Sequence, residues 1–154
     1  MSVKFTPPKL ADKGVIKMGL TITVNNFDSF DIGYMGFGNF RMDLAETYNK
    51  KLGDYYRRWI FSSIPYMNEK KLTDKEFQEM VKIAGDLMIF LAHKDTEGSF
   101  TPSESRKIYK CIENLKMDYE INPEYHGQGS FNVLERLKNM FYHSWKNRRK
   151  VIFE

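Results

Sequence analysis

Residues 14–26, GVIKMGLTITVNN, place Ile16, Met18, Leu20, Ile22 and Val24 at every second position. That two-residue period puts all five on one face of an extended chain, as in a half-buried strand. The longer segments that follow carry helical spacing instead, so this strand separates an α+β fold from a helical bundle. A strand must pair its backbone, and KVIFE at 150–154 is the apolar segment suited to it. The expectation is α+β: four main helices packed on a small sheet that pairs an N-terminal strand with the C-terminal strand.

The first helix is expected over 39–60, where Phe40, Leu44, Tyr48, Leu52, Tyr55 and Trp59 recur three and four residues apart, with Gly53 ending or loosening it. The second opens at Thr73-Asp74-Lys75-Glu76, a capping box, and buries Phe77, Met80, Val81, Ala84, Leu87, Met88 and Leu91. A second box, Thr101-Pro102-Ser103-Glu104, starts the third helix, through Ile108, Cys111, Ile112 and Leu115. The fourth begins near Ser130 with Phe131, Leu134, Leu137, Phe141 and Trp145 inward. Residues 25–39, NNFDSFDIGYMGFGN, read as a loop with a short strand at Ile32–Met35. The whole chain, 1–154, reads as one domain, and 1–17 as an N-terminal extension.

Aromatic residues make up 15% of the chain, which favours a packed core over disorder. The net charge of +4 and pI near 9.0 suit an anionic partner without demanding one. A single cysteine, Cys111, excludes an internal disulfide framework and a multi-cysteine zinc site. The longest apolar run, Leu87–Ala92, is far short of the roughly 20 residues that cross a bilayer. The polar, proline-broken start does not read as a signal peptide. A cytoplasmic protein with no membrane partner is expected.

The most specific chemical hint is HKDTEGSFTPSE, residues 93–104. With Gly98 as the sixth residue of a calcium loop, Asp95, Glu97, Thr101 and Glu104 fall at the third, fifth, ninth and twelfth positions. The first position holds His93, whose imidazole suits a hard cation poorly. Glu104 also belongs to the capping box, and Gly98 suits a left-handed turn. Weak calcium binding is the most these donors allow, and no other cofactor is expected.

Two clusters are basic and aromatic. Lys50, Lys51, Arg57 and Arg58 form one, and Trp145, Lys146, Arg148, Arg149 and Lys150 the other. Cations beside stacking rings suit phosphate contact and base stacking, and cations also suit solvated helix ends. GYMGFGNFR, residues 33–41, is glycine-rich without the spacing or lysine of a phosphate loop. There Tyr34 and Phe37 are packing residues, and Arg41 is the residue suited to an anion. No coherent catalytic set is visible; His93, His126 and Arg41 would be the centre of one if the fold joined them.

Met18-Gly19-Leu20-Thr21-Ile22, then GYMGFGNFR, then HKDTEGSFTPSES run in that order. Together they resemble a family of small uncharacterised bacterial and phage proteins. Those chains open with Met-Gly-Leu-Asp-Ile, continue with Ser/Gly-Tyr-Ser-Gly-Phe…Phe-Arg, and later carry His-Ser-Asp-Cys-Asp-Gly before a proline and short helix. Thr21, Met35, Thr96 and Ser105 depart from that pattern. The resemblance spans residues 18–154 and implies a shared fold and a loop in which His93 belongs; it implies no reaction.

The expectation for function is a non-enzymatic binding protein, phage- or mobile-element-encoded, docking on a host protein or nucleoprotein through a basic aromatic surface. The alternatives are a calcium- or metal-responsive module with a degenerate EF-hand-like loop, and a small hydrolase or nucleic-acid-processing enzyme.

Overall fold

The computed structural model describes residues 5–7, 19–120 and 130–154. The strand β1 spans Gly19–Val24 and buries Leu20, Ile22 and Val24, three of the five alternating residues. Ile16 and Met18 lie outside the described residues, as does most of the extension before Met18. The chain reverses at Asn25–Phe27, with Asn26 in the left-handed region (φ 62°) that asparagine tolerates. It returns antiparallel as β2, Asp28–Gly33, with Ile22 opposite Phe30. The expected loop at 25–39 is thus mostly hairpin strand and helix start.

On its other side β1 pairs antiparallel with β4, Val151–Phe153, so that Ile22 also faces Phe153. β4 in turn pairs with β3, Gly98–Phe100, giving the order β2-β1-β4-β3. Leu20, Ile22, Val24, Phe30, Ile32, Phe100, Val151 and Phe153 are all buried, which the register permits because paired residues share a face.

The α+β class stands, but the helix count does not. Five helices of eleven or more residues occur among the described residues: α1 (Tyr34–Tyr48), α2 (Lys50–Phe61), α3 (Asp74–Ala84), α5 (Pro102–Ile112) and α6 (Val133–Asn147). A single turn, α4, covers Met88–Leu91. The extra helix arises because the expected 39–60 segment is two helices meeting at Asn49. Asn49 is extended (φ −165°, ψ 127°), and its side chain accepts the Leu52 amide at 3.1 Å, capping α2. Gly53 does not end the helix. A Cβ there would lie 2.7 Å from the Cα of Glu46, so glycine is what lets α2 lie against α1.

The segment from Phe77 to Leu91 is not one helix either. α3 stops at Ala84, Gly85 takes φ +53°, and a tight turn at Gly85–Leu87 leads into α4. Both capping boxes form: each threonine hydroxyl accepts the glutamate amide at 3.1 Å, and each glutamate carboxylate accepts the threonine amide. Such caps stabilise a helix start by about 1 kcal/mol.

The core centre is aromatic. Phe37 of α1 meets Phe90 and Phe153 edge-on, at 5.8 and 5.5 Å between ring centres. Phe141 of α6 meets Phe90 and Phe100 in the same manner. Arg136 of α6 grips Asp28 at the start of β2 through two bonds of 2.7 and 2.8 Å, and this holds the Asp28 carboxyl below its usual range. No described helix is long and apolar enough to cross a membrane.

Candidate functional site

The chain between α4 and α5 is where calcium ligands were expected. Gly98 has φ +111°, which favours glycine, and a Cβ there would come within 2.9 Å of the His93 imidazole. The segment that should wrap an ion, Gly98–Phe100, is instead the edge strand β3. Asp95 turns inward and is only 5% exposed. Glu97 points into solvent, 3.6 Å from Lys94 Nζ. Glu104 holds the Thr101 amide, and the Thr101 hydroxyl holds the Glu104 amide. The four expected donors therefore do not converge, and among the described residues no three His, Cys, Asp or Glu side chains gather as a metal ion would need.

His93 is half-buried against the edge of the core. Its ring lies 4.2 Å from that of Phe100 and 4.9 Å from that of Phe153. Nδ1 donates to the Lys94 carbonyl at 2.7 Å. Burial pulls its pKa below the ordinary histidine value, so the ring is neutral at pH 7. Of the possible catalytic trio, Arg41 meets His93 through its carbonyl and not its ring, and His126 lies outside the described residues.

Arg41 belongs to α1 and is 2% exposed. α1 begins at Tyr34, so Gly36 and Gly38 are helical and Arg41 sits well inside, away from the helix start. Its Nη1 donates to the carbonyls of His93 (2.6 Å) and Leu91 (3.2 Å), and its guanidinium lies 4.3 Å over the Phe37 ring. Tyr56 of α2 donates to the same Leu91 carbonyl at 2.9 Å. Burial pulls the Arg41 pKa down, while Tyr56 and Asp95 oppose it; burial pushes the Asp95 carboxyl up, against the attraction of Arg41. Tyr34 and Phe37 are buried beside this arrangement in α1.

The two basic clusters differ. On α2, Lys51 pairs with Glu79, Arg57 with Asp54 and Glu69, and Arg58 with Glu76 at 2.9 Å. Arg58 also donates to the Lys70 carbonyl, and its grip lowers the Glu76 pKa to about 2. Lys50 lies in a groove with Asp43, Glu46 and Asp54. Lys51, Arg57 and Arg58 are latches from α2 to α3 and to the segment leading into it, matched by carboxylates.

The other cluster is remade by the fold. Trp145 does not point inward as expected; it is half-buried at the surface with Tyr109 and Tyr142, at 6.2 and 6.0 Å between ring centres. Lys146 Nζ lies 3.9 Å from the Trp145 ring centre, Lys110 Nζ 5.4 Å and Arg106 Cζ 5.6 Å. Tyr142 is 45% exposed. Arg148, Arg149 and Lys150 follow, exposed, where Arg148 takes φ 54° and turns the chain from α6 into β4. Sequence reasoning missed Arg106, Tyr109, Lys110 and Tyr142. Their signal is the three- and four-residue spacing of Arg106, Tyr109 and Lys110, matched by Tyr142, Trp145 and Lys146. Packing of α5 on α6 joins the two sets into one ridge.

Comparison of the chain with protein-family models, with curated proteins and with solved structures returns no match.

Proposed function

We propose that this is a non-enzymatic binding protein that docks through the α5–α6 ridge on a nucleoprotein, contacting its single-stranded nucleic acid. The observation that carries the reading is the Tyr109–Tyr142–Trp145 group, with Arg106, Lys110 and Lys146 set around the tryptophan. Rings offer every base a stacking face, and the surrounding cations track a phosphate backbone. A lysine over tryptophan also keeps the indole in place until a base replaces it. The α2 cluster takes no part, since Lys51, Arg57 and Arg58 are held by carboxylates, whereas Lys110 on the ridge is paired only loosely, with Glu113 at 3.9 Å.

Fluorescence anisotropy of a labelled single-stranded oligonucleotide, measured across a salt series, tests this. Binding is expected to weaken linearly in log salt. Replacing both Lys110 and Lys146 by Gln should reduce that slope by about 1.4, at roughly 0.7 per phosphate contact on single strands. An oligonucleotide that fails to bind at low salt sinks the nucleic-acid reading. Binding to an acidic host-protein surface with no response to oligonucleotide would move the partner to protein alone.

A further inference from the structure

Phe27, in the turn between β1 and β2, is 46% exposed. One face of its ring lies flat against His143 of α6, with 3.9 Å between ring centres and 7° between planes. The ring is not packed into the core, so its exposed area belongs to the other face and the edge. Its placement is fixed from several sides. The Phe27 amide donates to the Val24 carbonyl at 3.1 Å, and Arg136 of α6 grips the adjacent Asp28. The Asn147 amide donates to the His143 carbonyl at 3.1 Å and reaches the imidazole Nδ1 at 3.2 Å. Arg136 and His143 are about two helical turns apart, so together they hold the turn along one flank of α6. A ring already fixed on one face loses little freedom when something stacks on the other.

Successive residues advance by about 100° around α6, so His143 and Trp145 are turned about 160° from each other. Tyr142 and Lys146 lie between them on the exposed face. An aromatic band thus crosses α6, from Tyr109 and Trp145 beside α5, over Tyr142, to His143 and Phe27 beside the hairpin. Phe27 and Tyr142 are two of the five large hydrophobic side chains exposed among the described residues, and both belong to this band. Lys146, which forms no ion pair among the described residues, stands in its middle. A cation between two open rings complements a chain of bases joined by phosphates.

On the reading that Trp145 stacks a base of single-stranded nucleic acid, we propose that the open face of Phe27 stacks a second base of the same strand. The strand then crosses α6 with a phosphate at Lys146. The two rings are separated by about the 10–12 Å width of a helix with its side chains, which takes about three nucleotides at ~3.4 Å each. Phe27 offers only a stacking face, so it tolerates any base and adds no salt dependence of its own.

The test is fluorescence anisotropy of the full chain with two labelled strands at low salt. One is an oligothymidylate of about eight nucleotides, and the other has the same phosphates but no bases. Phe27→Ala should weaken oligothymidylate binding about 5- to 150-fold, with the salt slope unchanged, and should leave binding of the base-free strand as it was. Phe27→Trp, which keeps a stacking face, should retain the affinity of the unaltered protein. If Phe27→Ala binds oligothymidylate as well as the unaltered protein does, this proposal is overturned and the Trp145 reading survives. If it weakens both strands equally, the ring only positions the turn and takes no base. If the unaltered protein binds neither strand, the Trp145 reading falls and this one falls with it.

Discussion

The loop from Ala92 to Thr101 and the ridge on α5 and α6 draw on similar residues and spend them in opposite directions. In the loop, two polar side chains are turned inward, His93 against phenylalanines and Asp95 into the cleft it shares with Arg41, while Glu97 stays in solvent. On the ridge, large rings are left outside: Tyr142 and Trp145 lie with Tyr109 under three cations. A carboxylate near a glycine turn is therefore no sign of a free ligand, because the fold has backbone groups of its own to satisfy. Conversely, a tryptophan at helical spacing need not belong to the core when half of its helix face already has a partner. What distinguishes the regions is whether a side chain's bonding capacity is already used.

That contrast breaks most severely at Gly98. Gly98→Ala meets both the positive φ and the His93 ring, and should destabilise the fold by about 2–4 kcal/mol. Thermal unfolding would then fall by roughly 4–16 °C for a chain of this size. A variant that melts with the wild type would show the loop to be freer than its packing implies. Oligonucleotide affinity of the folded fraction should not change.

Trp145→Ala is the reciprocal experiment. Loss of one stacking ring should weaken oligonucleotide binding by about 1–3 kcal/mol, roughly 5- to 150-fold, with little change in melting temperature. If melting falls steeply and affinity holds, the ridge is an extension of the core and the contrast fails. Changing Arg58 to Ala should do the opposite: melting a few degrees lower as the Glu76 and Lys70 contacts are lost, with binding unaltered.

The smallest effect is on pH dependence. His93 binds its proton less readily when folded, so nothing is lost above the unfolded value near 6.5. As the pH falls below that value, the unfolded chain takes up a proton that the folded one refuses, and stability declines toward the depressed folded pKa. Asp95 has the opposite sign, since its folded pKa is raised: it favours folding at low pH and loses that advantage as pH rises through the folded value. His93→Gln should flatten the unfolding profile just below pH 6.5. An unchanged profile would place the imidazole in solvent.

Much of the architecture was legible because it rests on local rules. The alternation of Leu20, Ile22 and Val24 marked β1, and both threonine–glutamate boxes marked helix starts to the residue. The break at Asn49 was not read, although asparagine is a favoured cap, because helical spacing of apolar residues runs straight across it. The strand at Gly98–Phe100 was hidden for another reason: three residues carry no period, and their strand identity comes from β4.

The ridge was half legible. Trp145 and Lys146 were singled out, but the companions of Trp145 on α5 lie 35 to 39 residues away in the chain, and only helix packing sets them side by side. Arg41 is the extreme case. Nothing in GYMGFGNFR says that this arginine is swallowed by the core, since its hydrogen-bond partners are the distant carbonyls of Leu91 and His93. The sequence alone settled the elements whose signals are periodic or lie within one helical turn: the first strand, the capped helices and the class they form. The number of helices, the neutralised α2 face, the ridge and the Arg41 cleft came from tertiary packing, because each depends on which distant backbone or ring a side chain meets.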